Sequence, residues 1–475
     1  TSAFYRGFPS GSLSSPNYAQ EIVDKPTVTE SHSRLMGVTG LVNYSFQDIY
    51  LFDTSLRMDG SSKFGTNSRY APFWSLGGGL NLHNYPILKN LGFVDLLKVR
   101  ASYGQLGKVS FSSYESRTTY NILTDEWYKT GYGAVLAALG NRDLTWETTN
   151  TLDIGGELRL FNGLIYIRGS YYNKRTVDLI NDVTIPSHTG FTTYKNNVGE
   201  IENKGFELDV RSEILNTKDW YVSVYANLAH NKNTILKVSE SLKAYNDRVD
   251  NFLNDLSQRQ ARNGTGSKSY KKYVEGGSES SIWAMRSLGI NPANGEELFL
   301  TPDGKITNTW NSADQVVVGS IEPAAQGSFG VNARWKNFSL YATFMYEWGG
   351  QRYNQTLADR VENVNIYEVN ADRRVFTDRW QKPGDNAQFK KLEAGDNIHT
   401  TQATSRFVQD YNWLSLNSLN LGYDFDQKLI APLSLTMLRF EIGANELFRI
   451  SSVKQERGLS YPYSRTFNFS IKASF

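Results

Sequence analysis

The final nine residues, Phe467 to Phe475, alternate without a break between apolar and polar side chains and finish on an aromatic ring. An extended strand sends successive side chains to opposite faces, so this segment has one greasy face and one wet face. Such a strand suits a soluble sandwich, where the greasy face meets a second sheet. It equally suits a membrane barrel, where the greasy face meets lipid and the wet face lines the interior. One segment does not choose between them.

The same alternation recurs along the chain in pairs of runs joined by short turns. Leu152, Ile154, Leu158 and Leu160 face away from Asp153, Glu157 and Arg159; after Asn162-Gly163, Ile165, Ile167 and Tyr171 face away from Tyr166, Arg168 and Ser170. Phe338, Leu340, Ala342, Phe344 and Tyr346 oppose Ser339, Tyr341, Thr343 and Glu347, and Leu438, Phe440, Ile442 and Ala444 oppose Arg439 and Glu441. About thirteen strands are expected, near 33–46, 48–60, 72–84, 96–106, 146–161, 164–178, 198–215, 220–233, 327–336, 338–350, 407–425, 435–447 and 464–475. Gly77-Gly78-Gly79 sits inside one of them, with no P-loop Lys-Ser/Thr behind it, so it reads as a place for bending or close packing and not as a phosphate cradle.

Composition separates the two settings. Only 40% of residues are hydrophobic, yet 13% are aromatic, with 28 Tyr, 25 Phe and 10 Trp. Amphipathic rings in that number suit the aromatic girdles of a barrel. No apolar run approaches the roughly 18–20 residues that a membrane helix needs. The 50 Lys and Arg against 48 Asp and Glu give no reason to expect a nucleic-acid partner. With no cysteine, disulfides, thiolate metal sites and thiol nucleophiles are excluded. The reading is an all-β, transmembrane antiparallel β-barrel that crosses the cell outer membrane many times within the lipid bilayer.

Connection lengths orient it. Links after odd-numbered strands are short, whereas those after even ones are mostly long, including 107–145, 234–326 and 351–406. Short turns of outer-membrane barrels are periplasmic and long loops extracellular, so the C-terminus is expected in the periplasm. The first strand then runs down from outside. A barrel with an even strand number and both ends periplasmic begins with a strand running up, so an odd number of strands is expected to be absent from the front. Residues 1–32 accordingly read as an extracellular loop segment and residues 33–475 as the C-terminal part of the barrel, with the first strands missing.

The presumed outer loops hold most of the unusual chemistry. Trp127, Tyr128, Trp283 and Trp310 are the candidate substrate contacts, since rings beside Asp, Asn and Arg can stack on sugars or cover peptide backbones. Loop core and membrane girdle are the competing roles for such rings. Leu242, Tyr245, Val249, Phe252 and Leu256 fall at helical spacing within 241–260, an amphipathic helix that packs the loop onto itself or faces a partner. Asn291-Pro-Ala-Asn-Gly-Glu-Glu followed by Thr301-Pro-Asp-Gly-Lys305 lacks the ligand spacing of a calcium loop and reads as two β-turns. The five histidines are scattered, no Gly-x-Ser-x-Gly elbow is present, and pairs such as Asp125-Glu126 read as solvated. No enzyme activity, cofactor, metal site or catalytic residue is expected.

Several stretches together carry a family resemblance. They are Ser55-Leu-Arg-Met-Asp-Gly-Ser-Ser-Lys-Phe-Gly65, Leu97-Lys-Val-Arg-Ala-Ser-Tyr-Gly104, Asp143-Leu-Thr-Trp-Glu147, Val198-Gly-Glu-Ile-Glu-Asn-Lys-Gly-Phe-Glu-Leu208 and Asn291-Pro-Ala-Asn-Gly-Glu296. Further along come Arg379-Trp-Gln-Lys-Pro-Gly-Asp385, Trp413 to Tyr423, Asn445-Glu-Leu-Phe448 and Tyr461-Pro-Tyr-Ser-Arg465. In this collinear set the chain resembles the C-terminal barrel portion of SusC/RagA-type TonB-dependent transporters of the Bacteroidetes outer membrane. The resemblance implies a 22-stranded barrel occluded by an N-terminal plug, energy drawn through the TonB complex, and a SusD-like surface lipoprotein as a lid. About nine strands and the plug would then lie outside these residues. The implied function is active import of an oligosaccharide, with oligopeptide import of the RagA type as the nearest alternative. A siderophore or cobalamin receptor is disfavoured by the SusC-type motifs, and a passive porin or structural barrel is the reading from a different class.

Overall fold

The computed structural model describes residues 5–6, 21–22, 30–129, 131–184, 191, 193–258, 266–366, 370–392, 400–454 and 465–475. Thirteen strands build one antiparallel sheet in which each strand lies beside its predecessor. They are β1 (Leu35–Phe46), β2 (Tyr50–Ser61), β3 (Tyr70–Asn81), β4 (Val94–Lys108), β5 (Glu147–Leu160), β6 (Ile165–Val177) and β7 (Glu200–Asn216). The sheet continues through β8 (Trp220–Lys237), β9 (Ala325–Trp335), β10 (Phe338–Tyr353), β11 (Val408–Asp424), β12 (Met437–Ser451) and β13 (Thr466–Ser474). Each expected strand has its counterpart, with shifted ends. The third stops at Asn81 because Leu82–Asn84 turns into a 3-10 helix, and the eighth runs on to Lys237 against β7.

The turns explain the register. Phe161, Asn162 and Gly163 all take positive φ (58°, 56° and 86°), and Gln47 with Asp48 does likewise (55° and 54°). Left-handed turn residues match the twist of the strands they join. From the Asn162 turn, β5 and β6 pair Arg159 with Tyr166, Glu157 with Arg168 and Gly155 with Ser170, placing polar side chains on one face. The opposite face carries large apolar groups with no protein cover, among them Leu56 (63% exposed), Ile442 (48%) and Phe469 (77%). A sheet with that outer face belongs in lipid. Gly77 in β3 serves close packing, since a Cβ there would lie 2.4 Å from the Asp53 carboxylate.

One rim of the sheet bears the shorter connections, the longest being residues 82–93 and 425–436, and a run of rings. Trp220 stacks on Trp335 (5.6 Å), Trp335 on Phe338 (5.9 Å), and the contacts continue through Tyr423, Phe425 and Phe440. At the other rim the strands overshoot. β7 and β8 have 17 and 18 residues, well beyond the ~9–11 that cross a bilayer, so their far ends stand clear of it.

The long connections are folded, which sequence periodicity missed. Thr119–Tyr128 pairs with Gly131–Ala138, Ile180–Thr184 with Thr193–Asn197, and Ser281–Ala284 with Val316–Ser320. The expected helix is present as α1 (Glu240–Gln258), and it packs the loop onto itself: Val249 and Leu253 are buried with Met285, Phe299 and Trp310. Its inward stripe differs by one position from expectation. Leu253 is fully buried whereas Phe252 is 45% exposed, edge-on to Tyr270, and the Leu256 side chain lies outside the described residues. Of residues 1–32, the structure describes a short pairing of Tyr5–Arg6 with Glu21–Ile22 and residues 30–32; the remainder lies outside the described residues.

Candidate functional site

The polar face encloses a cavity of about 1290 Å³, lined among others by Arg159, Tyr166, Arg168, Asp209, Arg211, Tyr225 and Tyr341. Strand alternation alone puts these groups together, since each comes from the wet parity of β5 to β10. Several of the inner wall's charges neutralise one another across or along strands. Arg100 meets Asp153 at 2.8 Å, Arg211 meets Asp209 at 3.0 Å, and Lys472 meets Glu441 at 3.0 Å. Tyr225 and Thr343 share a hydrogen bond of 2.8 Å between hydroxyls 118 residues apart. The wall is thus wet, mixed in charge and rich in phenols.

Above the long-loop rim, three clasps hold the loops. In the first, Phe64 packs with Phe73, Phe111, Leu144 and Trp146, so the Ser55–Gly65 and Asp143–Glu147 stretches meet in one core. Glu147, beside that core, accepts from Ser110 Oγ (2.5 Å) and the Ile180 amide (3.0 Å). In the second, the Asn291–Glu296 turn docks on the Arg379–Asp385 turn. Trp380 Nε1 and the Gly384 amide both donate to the Pro292 carbonyl at 2.9 Å, and Lys391 N donates to Gly295 O at 3.0 Å. Gly295 has φ +74°, and a Cβ would press 2.6 Å from the Trp380 ring. Hydrogen bonds from Asn308, then Lys391 and Asn294, hold the Glu296 carboxyl below its ordinary pKa despite partial burial. The two expected β-turns are present: the Asn294 amide donates to Asn291 O (3.4 Å) and that of Gly304 to Thr301 O (3.0 Å).

The third clasp is ionic. Arg406 donates Nε and Nη2 to Glu297 (2.8 and 2.7 Å), Nη2 also to Glu362 (2.9 Å), and Nη1 to the Gln388 carbonyl (2.7 Å). Burial by itself would lower its pKa; the Glu362 and Glu297 charges outweigh that and raise it, fixing the guanidinium as a cation. Arg379, also buried, donates to the Val361, Glu362, Val375 and Lys390 carbonyls, so it too is a loop fastener.

The four aromatic candidates take different places. Trp310 is 8% exposed and donates Nε1 to the Ala403 carbonyl at 3.0 Å, which makes it loop core with no free ring face. Trp283 is half-buried, with Lys272 Nζ 5.9 Å from its ring. Trp127 and Tyr128 end the strand Thr119–Tyr128, opposite Tyr132 and Gly131, and their side chains lie outside the described residues. These four therefore do not form a single described site. Among the described residues no cluster of His, Asp or Glu could hold a metal ion.

Sequence reasoning passed over a different cluster on the wet face, built by β10, β11 and β12. Arg449 lies 4.0 Å over the Trp413 ring and 5.8 Å from that of Tyr411, while Arg352 lies 5.0 Å from Tyr411. Trp413 Nε1 donates to Glu347 at 2.9 Å. Its four elements of sequence, 347, 352, 411–413 and 449, are too far apart for spacing to reveal; only their shared wet parity hints at them.

A twisted antiparallel wall with an apolar exterior, a wet interior, a ring-lined short-turn rim and a loop-bearing rim is the wall of an outer-membrane β-barrel. The family model described as TonB dependent receptor-like, beta-barrel matches residues 2–345, and the chain belongs to that family. It is 28% identical over 435 residues to TonB-dependent receptor P3 of Formosa agariphila, covering 89% of this chain and 42% of that one. It is 24% identical over 426 residues to TonB-dependent receptor SusC of Bacteroides thetaiotaomicron, covering 86% and 40%. Among solved structures, the RagAB peptide transporter superposes with a TM-score of 0.82 at 22% identity, over 99% of this chain and 51% of that one. The chain thus spans about two fifths of the length of the curated relatives it matches.

Proposed function

We propose that this chain forms the C-terminal wall and the outer loops of a TonB-dependent importer that draws an oligomeric nutrient across the outer membrane. The observation that carries this reading is the pairing of a wet, mixed-charge inner wall with loops fastened at one rim only. The short turns then face the periplasm, as does the C-terminus, and the clasped loops face outside, where substrate arrives. β1 and β13 each pair on one side only, and unpaired strand edges in hydrocarbon cost several kcal/mol per group. Further strands of the same receptor would close the barrel, with a plug inside it, a TonB contact outside this segment and a SusD-like lipoprotein over the loops.

Of the two substrate classes, the sequence reading puts an oligosaccharide first. An oligopeptide is the better supported: the wall superposes well on the RagAB peptide importer. A surface of amides, phenols and charges of both signs also matches the hydrogen-bonding needs of a peptide main chain. The deciding experiment is uptake by cells carrying the intact receptor, with labelled oligopeptide and oligosaccharide panels, in the presence and absence of a working TonB complex. Peptide uptake that disappears without TonB is expected; uptake that persists would make the protein a porin, and TonB-dependent glycan uptake would reverse the substrate assignment.

Topology has its own test, helped by the absence of cysteine from these 475 residues. Asp303→Cys in an outer turn is expected to react with an impermeant maleimide on whole cells, and Asn337→Cys in a short turn only after lysis. The opposite labelling would invert the barrel.

A further inference from the structure

We propose that Arg352 and Arg449 form a carboxylate-binding site on the inner wall, which takes the acidic groups of an imported oligopeptide. The inference rests on the peptide-import reading above and deepens it.

The register puts the participants on one face. Gln409, Tyr411, Trp413 and Ser415 alternate along β11; Arg352 lies opposite Gln409, Glu347 opposite Trp413, and Arg449 opposite Ser415. Thr343 and Tyr341 continue the same parity down β10, and Tyr341 lines the large cavity. The pair therefore stands above that cavity, where β10 passes into its long loop.

Some arginines of the same wall, among them Arg100, Arg175, Arg211 and Arg439, each reach a carboxylate; what sets this pair apart is that its two cations share one ring. Neither Arg352 nor Arg449 makes an ion pair with any described residue, and Glu347, across from Trp413, is taken up by the Trp413 indole. Arg449 uses Nη2 on the Tyr411 hydroxyl, while its Nε is buried without a partner. Two like charges sharing the Tyr411 ring repel, and a buried donor left unpaired costs about 1–3 kcal/mol. A carboxylate answers the repulsion, because it accepts charge-assisted hydrogen bonds from the guanidinium nitrogens still open to it and neutralises the pair. The rings of Tyr411 and Trp413 hold the forks in place by cation–π contact, so the site needs little ordering when the anion arrives.

The test uses the intact receptor, purified from its own membrane, with an acidic oligopeptide and a matched peptide whose carboxylates are all amides. Arg352→Gln with Arg449→Gln should weaken the acidic peptide by about tenfold or more, as expected for lost charge-assisted bonds, and leave the amidated peptide unchanged. The amidated peptide also reports that the variant is folded, and Arg352→Gln alone, at an exposed position, supplies a milder second variant expected to show part of the same selective loss. Equal weakening of both peptides, or of neither, would overturn the site and leave peptide import standing. If the native receptor binds neither peptide, import reading and site fall together. Binding of a uronate glycan through these arginines, with peptides indifferent to them, overturns the proposed occupant.

Discussion

Arg406 joins segments that are 109 and 44 residues away in sequence, through Glu297 and Glu362. The two acids are 5% and 0% exposed, so removing the cation leaves both buried without their counterion. Arg406→Met is expected to destabilise the loop assembly by about 3–5 kcal/mol. Hydrogen exchange should show it as lost protection in residues 285–320 and 355–407 with the wall strands unchanged; uniform loss everywhere would contradict the separation of loops from wall. Glu296 offers a weaker, pH-dependent lever. Its native pKa is below the ordinary value, so its contribution is complete above about pH 4.5 and fades as pH falls through the lowered native value. Acid proteolysis of the 379–391 segment should therefore accelerate in that window, and Glu296→Gln should remove the dependence. None of these partnerships was legible in sequence, because charge type and spacing do not say which distant acid an arginine will meet. Trp310 marks the same boundary from the other side, since a tryptophan in a polar loop looks alike whether it faces substrate or, as here, donates to Ala403 inside a core.

At the level of elements, strands were readable where one face meets lipid and the other water. That contrast imprints period two on β6 or β10 far more cleanly than a buried core would. Their ends were less readable, because beyond the bilayer both faces are wet and alternation fades; β8 runs past 233 for this reason. Loop hairpins such as Thr119–Tyr128 with Gly131–Ala138 stayed hidden for the same cause, lacking a lipid side. The family motifs acquire a physical meaning here: Asp143–Glu147 supplies Leu144, 0% exposed, and Trp146, 4% exposed, to the core seated on Phe64. Trp146→Ala should cost about 3–5 kcal/mol in that core. Gly65→Ala should act on the same contact from the other partner, as its Cβ would lie 1.6 Å from the Arg142 carbonyl. Both variants are expected to expose residues 109–118 to trypsin while heat-modifiable gel migration of the intact receptor persists; unchanged cleavage would show that the core does not hold this loop.

For the whole molecule, the thirteen-stranded sheet has two edges that do not meet. Residues 1–475 produced alone and offered to a planar bilayer are therefore expected to give no steady single-channel conductance. A stable conducting monomer would mean that the edges close on each other and that the proposed need for further strands is wrong. Composition and strand parity made the wall legible in sequence. The Arg352, Tyr411, Trp413 and Arg449 cluster was not, because its side chains are brought together from β10, β11 and β12 by long-range register.

Strand order along the sheet has a kinetic side. Because spatial order equals chain order from β1 to β13, every wall contact joins consecutive strands, and the longest interval bridged is the loop from Lys237 to Ala325. Growth of the wall can thus be sequential, like a zip. The Arg406 clasp cannot be: it needs residues 297, 362 and 406 together, so it closes only after β9, β10 and the loop behind them are in place. Because Arg406 precedes β11, the clasp can close before β11, β12 and β13 join, so the roof over β9 and β10 does not wait for the finished wall.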